Sequence, residues 1–101
     1  MTRGPSAASK RTIYRRDGGR CVYCRMPLTE REATYDHRVP RAQGGTSAQT
    51  NIVLSCALCN QAKANRTAEQ WASVPHRKRE RIRHRMKRGI QKVALERILG
   101  P

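Results

Sequence analysis

The sequence predicts a small α+β domain: two short strands and a following helix, stapled by four cysteines on a metal ion, with a basic helix behind them. Three observations lead there. Two CxxC pairs, Cys21–Cys24 and Cys56–Cys59, frame the middle of the chain. Inside that frame, ATYDHRVP and NIVLSC carry strand-favouring residues on either side of a loop marked by Gly44-Gly45. Beyond it, eight of the twelve residues from Arg77 to Arg88 are Lys or Arg, while apolar residues still recur at near-helical spacing.

The elements follow in order. Residues 1–9 are small and polar and read as a flexible lead. KRTIYRRD suits a short helix ended by Gly18-Gly19, and CVYC a tight turn. Thr34, Tyr35 and Val39 favour an extended strand that Pro40 stops. RAQGGTSAQ is a loop, and NIVLSC a returning strand opened by Asn51. CALCNQAKANR has helix-favouring Ala and Lys. Thr67 and Gln70 have capping-box spacing for a second short helix bearing Trp71, which reads as a core anchor. The main domain thus spans 10–74. Residues 75–101 form a basic amphipathic helix with Ile82, Met86, Ile90, Val93 and Ile98 along one stripe, weakened at Gly89 by ~1 kcal/mol relative to Ala.

Size and charge bound the function. The chain has 101 residues, 37% of them hydrophobic, with no Phe and one Trp. A core that small needs a staple. The formal charge is +15, from 22 Lys and Arg against 7 acids. Such a chain attracts polyanions, and nucleic acid is the foremost candidate because neutralising phosphates releases counterions. A membrane-surface helix is the weaker alternative, since the stripe lacks large aromatics. No secretory signal and no apolar span of ~20 residues is visible, so a cytoplasmic setting is expected. Thiols stay reduced there, which favours metal over disulfides.

Two CxxC pairs from separate segments suit tetrahedral Zn²⁺. All four thiolates would be used, so this zinc is structural, and its binding free energy becomes folding free energy. A redox dithiol would need only one CxxC in a thioredoxin-like frame.

The segment between the pairs carries a harder donor set. Asp36 and Asn60 offer oxygens suited to Mg²⁺ or Mn²⁺. His37 adjoins Asp36 and can take a proton from an attacking water. With Asn51 nearby, and in so basic a chain, this set points to phosphodiester hydrolysis.

DHRVPRAQGG followed by TNIVLSCALCNQAK resembles the HNH endonucleases, in the four-cysteine, zinc-stapled type with Asn at the third motif position, as in phage or bacterial members. The matching positions are Asp36, His37, Pro40, Gly44, Gly45, Asn51, Cys56, Cys59, Asn60 and Lys63, and YRRDGGRCVYC is similar to the family's lead-in. The resemblance covers about residues 10–70. It implies a ββα-metal (His-Me finger) core, His37 as general base, one divalent ion on Asp36 and Asn60, and Asn51 orienting His37. It also implies DNA cleavage leaving a 5′-phosphate and a 3′-hydroxyl.

For phosphate contact the candidates are Arg38, Arg41, Lys63, Arg77, Lys78, Arg81, Arg85, Lys87 and Arg88. For Lys63 a solvated helix lysine is an equal alternative, and His76 and His84 read as plain surface residues. DNA is the expected partner; since one such site acts on one strand, double-strand cutting would need a homodimer or two events, and a larger phage or bacterial DNA-processing complex is the other assembly expected. A non-catalytic, zinc-stapled nucleic-acid-binding module on the same scaffold remains the rival, because only Asp36, His37, Asn51 and Asn60 separate the two.

Overall fold

The computed structural model describes the backbone of residues 5–99 and the side chains of residues 5–87. Among the described residues there are four α-helices and one two-stranded sheet. Helix α1 spans Ala7–Arg16, β1 Thr34–His37, β2 Ile52–Ser55, α2 Ala57–Lys63, α3 Ala68–Ser73 and α4 His76–Leu99.

Helix α1 begins earlier than expected. Ser6 caps it, its hydroxyl accepting from Ser9 N at 3.2 Å, so residues 7–9 are helical and the stretch read as a lead is shorter. Satisfying an orphan amide is what a serine cap does. Gly18 and Gly19, both at φ +67°, stop the helix as expected. Asp17 then ties α1 to the sheet by accepting from Leu54 N at 2.9 Å.

Strands β1 and β2 pair antiparallel, with Thr34 opposite Ser55, Asp36 opposite Val53, and His37 opposite Ile52. The first strand ends at His37, three residues before Pro40. Between the strands the chain is not plain loop but carries two short 3-10 turns, Arg41–Gln43 and Gln49–Asn51. The double glycine is sterically required there. Gly44 sits at φ +88°, and a Cβ on Gly45 would collide with the Val39 carbonyl oxygen.

Helix α2 packs on β1, and α4 on α2. Ile13, Cys21, Leu28, Ile52, Leu54, Cys56 and Cys59 form one buried cluster. Three of these seven are cysteines, so the core is built around the thiols. Trp71 is buried, as its reading as a core anchor requires. The expected Thr67–Gln70 capping box is present at the start of α3, with both reciprocal bonds made.

Helix α4 runs without a break through Gly89. Its inward face is mixed: Arg79, Ile82, Arg83 and Met86 are half-buried. Ile82 and Met86 thus lie on the expected stripe, interleaved with two arginines, while the side chains of Ile90, Val93 and Ile98 lie outside the described residues. No helix among the described residues is long and apolar enough to cross a membrane.

Candidate active site and metal centre

The turn after α1 brings Cys21 and Cys24 against the end of β2 and the start of α2. Val22 N donates to Leu54 O at 3.0 Å, docking the turn on the sheet. Cys56 caps α2, its sulfur accepting from Cys59 N at 3.3 Å. The four sulfurs lie within 4.8 Å of one another, with Cys24 and Cys56 at 3.9 Å. Tetrahedral Zn–S bonds of ~2.3 Å put sulfurs about 3.8 Å apart, so the spacing fits one ion. Four thiols this close cannot ionise independently. Hydrogen bonds with Cys56 and Cys59 push the Cys21 thiol down, while those with Cys21 and Cys56 push Cys59 up. A divalent cation removes that conflict by letting all four be thiolates.

Asp36 and His37 end β1, on opposite faces of the strand by its alternation. Asp36 faces α2 and is only 7% exposed. Its Oδ2 accepts from the Tyr23 hydroxyl at 2.6 Å and pairs with Lys63 Nζ at 3.0 Å. Burial first, then the hydrogen bond to Asp36 and its charge, push the Tyr23 phenol well above its ordinary range and keep it a donor.

Lys63 overturns both expectations held for it. It is 0% exposed, so it is neither a solvated helix lysine nor a phosphate contact. One turn after Asn60, its ammonium reaches under β1, donating to His37 O at 2.9 Å while neutralising Asp36. A buried charge needs that kind of pairing. Asn60 sits nearer the start of the strand, with Nδ2 donating to Thr34 Oγ1 at 3.3 Å. Asp36 and Asn60 therefore share the β1–α2 seam without a direct bond. Their hard oxygens suit a Mg²⁺-like ion, and the seam already holds a cation at Asp36.

His37 is half-buried, with Nε2 3.2 Å from Ser47 Oγ. Burial and then the Arg41 cation hold its imidazole below the ordinary value, against the opposing pull of Asp36. The ring is thereby kept neutral near neutral pH, the form a general base requires. Arg41 also donates to Ser47 Oγ at 3.3 Å, so its exposed guanidinium stands beside His37.

Asn51 holds the loop that follows His37. Its Oδ1 accepts from Val39 N at 3.0 Å, and its Nδ2 donates to Val39 O at 3.0 Å and Thr46 O at 2.7 Å. Its own carbonyl accepts from Arg38 N at 2.7 Å. Arg38 is drawn aside by an exposed ion pair with Glu69 at 2.9 Å. On α4, Arg77, Lys78, Arg81, Arg85 and Lys87 are exposed, as are His76 and His84. The Arg88 side chain lies outside the described residues.

Sequence reasoning missed Tyr23 and Ser47. Tyr23 carried a signal, being the one large polar residue inside the first CxxC. Ser47 carried none, since a serine in a Gly-Thr-Ser loop has many bland uses.

Comparison with known proteins places this geometry. Residues 21–66, just under half of the chain, match the model of the HNH endonuclease family. A 58-residue stretch, 56% of the chain, is 43% identical to the CRISPR-associated endonuclease Cas9 of Corynebacterium diphtheriae. The chain spans only 5% of that protein's length, so the likeness concerns one segment of it. Together with the antiparallel strands, the following helix and the four clustered cysteines, the match assigns the segment from Cys21 to Arg66 to the HNH endonuclease family.

Proposed function

We propose that the chain hydrolyses DNA phosphodiester bonds with His37 as general base, a Mg²⁺ or Mn²⁺ ion on Asp36 and Asn60, and Zn²⁺ on the four cysteines. The observation that carries this is the setting of His37. It adjoins a buried carboxylate on one side and an Asn51-pinned loop on the other. Its Nε2 is engaged by Ser47, which leaves Nδ1 to accept a proton from water.

In this mechanism Nδ1 takes the proton as the water oxygen attacks phosphorus, and the 3′-oxygen leaves. Asn51 keeps the loop, and with it Ser47 and Arg41, in place around the ring. Arg41 offers donors to a phosphate oxygen. When bound, the divalent ion supplies positive charge to the phosphate and to the leaving oxygen. Lys63 must share Asp36 with that ion or yield it. The exposed basic face of α4, with Arg38, supplies further phosphate contacts.

The non-catalytic module draws support from one observation, the Asp36 carboxylate already neutralised by Lys63. A plasmid assay separates the two. Zinc-loaded chain and its His37→Ala variant are incubated with supercoiled DNA and Mg²⁺ or Mn²⁺, then with chelator. Metal-dependent nicking should fall by ~10²–10⁴-fold in the variant. Equal behaviour of the two proteins would overturn the role of His37, and binding without nicking would favour the module.

A further inference from the structure

The inward face of α4 presents an oddity. A basic helix that only needed to hide an apolar stripe would turn its arginines outward, as it does with Arg77, Arg81 and Arg85. Arg79 and Arg83 instead turn inward with Ile82 and Met86. Their Nε atoms are buried and have no hydrogen-bond partner among the described residues. Buried donors are normally satisfied, so two orphans on one helix face point to an acceptor they were placed to meet. Both arginines line a cleft of about 230 Å³ together with Cys24, Cys59, Tyr23 and Trp71. Among the described residues the one carboxylate paired with either is Glu80, which takes Arg83 Nη1 at 2.9 Å and leaves its Nε–H free.

The charges fit as well. Four thiolates around Zn²⁺ would carry a net charge of about −2 in a largely buried site, and such clusters rely on outer donors to disperse it. Two guanidinium groups match that charge.

We propose that Arg79 and Arg83 are outer-shell donors to the zinc–thiolate cluster, so that metal loading locks the basic helix α4 against the nuclease domain. On metal loading the Nε–H groups would turn to the Cys24 and Cys59 sulfurs that share the cleft with them, because metal binding is what makes those sulfurs full-time acceptors. The exposed row of α4 then faces outward in a fixed direction set by the staple. This inference rests on the four-cysteine zinc reading and is independent of the nuclease chemistry.

The test uses the full chain loaded with Zn²⁺ or Co²⁺. The Arg79→Met, Arg83→Met double variant keeps an unbranched side chain out to the Nε position and removes the donors. It should bind Zn²⁺ about 10–100-fold more weakly in chelator competition, the usual cost of losing outer partners. Its thiolate-to-cobalt absorption band should also shift from the wild-type position. Arg81→Met, on the exposed face, should keep wild-type affinity and band. Wild-type affinity and an unmoved band in the double variant would overturn the proposal and leave the two arginines as packing. Wild-type chain that takes up no zinc would overturn it by a different route, through the metal reading itself. If the double variant does not fold, the ¹¹³Cd-loaded wild-type chain answers instead. Scalar coupling between the metal and the Nε–H of Arg79 and Arg83, transmitted through sulfur, is expected, and its absence would refute the assignment.

Discussion

Lys63 changes how the Asp36 carboxylate is understood. An acid at 7% exposure on a strand of a +15 chain has abundant cations to choose from, yet it takes one from inside. The partner comes from α2, one turn past Asn60, so the helix that carries a candidate ion ligand also carries a candidate competitor for the ion. Removing one half of a buried pair leaves the other charged and undersatisfied, at a cost of about 3–5 kcal/mol. Lys63→Met should lower the unfolding free energy of the zinc-loaded chain by about that much in a urea titration. Adding Asp36→Asn should recover part of the loss, since the stranded charge is then gone. An unchanged midpoint for Lys63→Met would mean that the pair contributes nothing to stability. This pairing was partly legible. Asp36, His37, Asn60 and the cysteines stand out in the sequence because their chemistry is specific and their spacing fixed. Lys63 does not, because Asn-x-x-Lys on a helix looks the same whether the lysine faces water or a strand. Only the side on which α2 packs decides, and that is a tertiary fact.

At the scale of elements, the link between β1 and β2 is what turns two short strands into a site. Four-residue strands offer few ladder bonds, so register and loop shape need other support. Asn51 supplies it through three side-chain bonds to Val39 and Thr46, and Gly45 allows the close approach to the Val39 carbonyl that those bonds require. The expectation that a Gly-Gly loop joins two strands was readable from composition. The two 3-10 turns inside it were not, because they depend on these long-range bonds more than on local propensity. Asn51→Ala removes all three bonds without touching the cysteines or the core. Nicking should then drop by about 10²-fold, the cost of a misplacement near 1 Å in a reacting group, while circular dichroism and zinc content stay at wild-type values. Equal loss of folded signal would reassign Asn51 to stability alone. In α4 the sequence misled in a related way. Helical spacing of Ile82 and Met86 found the correct face, but the charge count hid the fact that two of the arginines share it.

The whole molecule is governed by two quantities, a small core and a large charge. Among the described residues Trp71, Ile13, Ile52 and Leu54 are the largest fully buried apolar side chains, and three of the seven residues in the main cluster are cysteines. A net +15 adds self-repulsion to that weak core. The proposed zinc would therefore carry much of the folding free energy. Treatment with a zinc chelator at neutral pH should abolish the helical signal, and Zn²⁺ but not Mg²⁺ should restore it. A chain that keeps its circular dichroism after zinc is removed would show that the core suffices. Under the proposed function, charge then governs the encounter with DNA. Arg77, Arg81 and Arg85 recur every four residues on the exposed side of α4, a row able to follow one phosphate track. Each phosphate contact contributes about −0.9 to the slope of log K against log salt, and removing one lowers that slope by ~1. Replacing all three by Ala should flatten the slope by roughly 2–3 and weaken binding about equally for unrelated sequences, because phosphate contacts carry no base information. Zinc content should not change, since none of the three faces the cysteine cluster. An unaltered slope would make this face a solvated surface and shift the DNA contacts to the side of Arg41 and His37. The basic helix would then serve the staple alone.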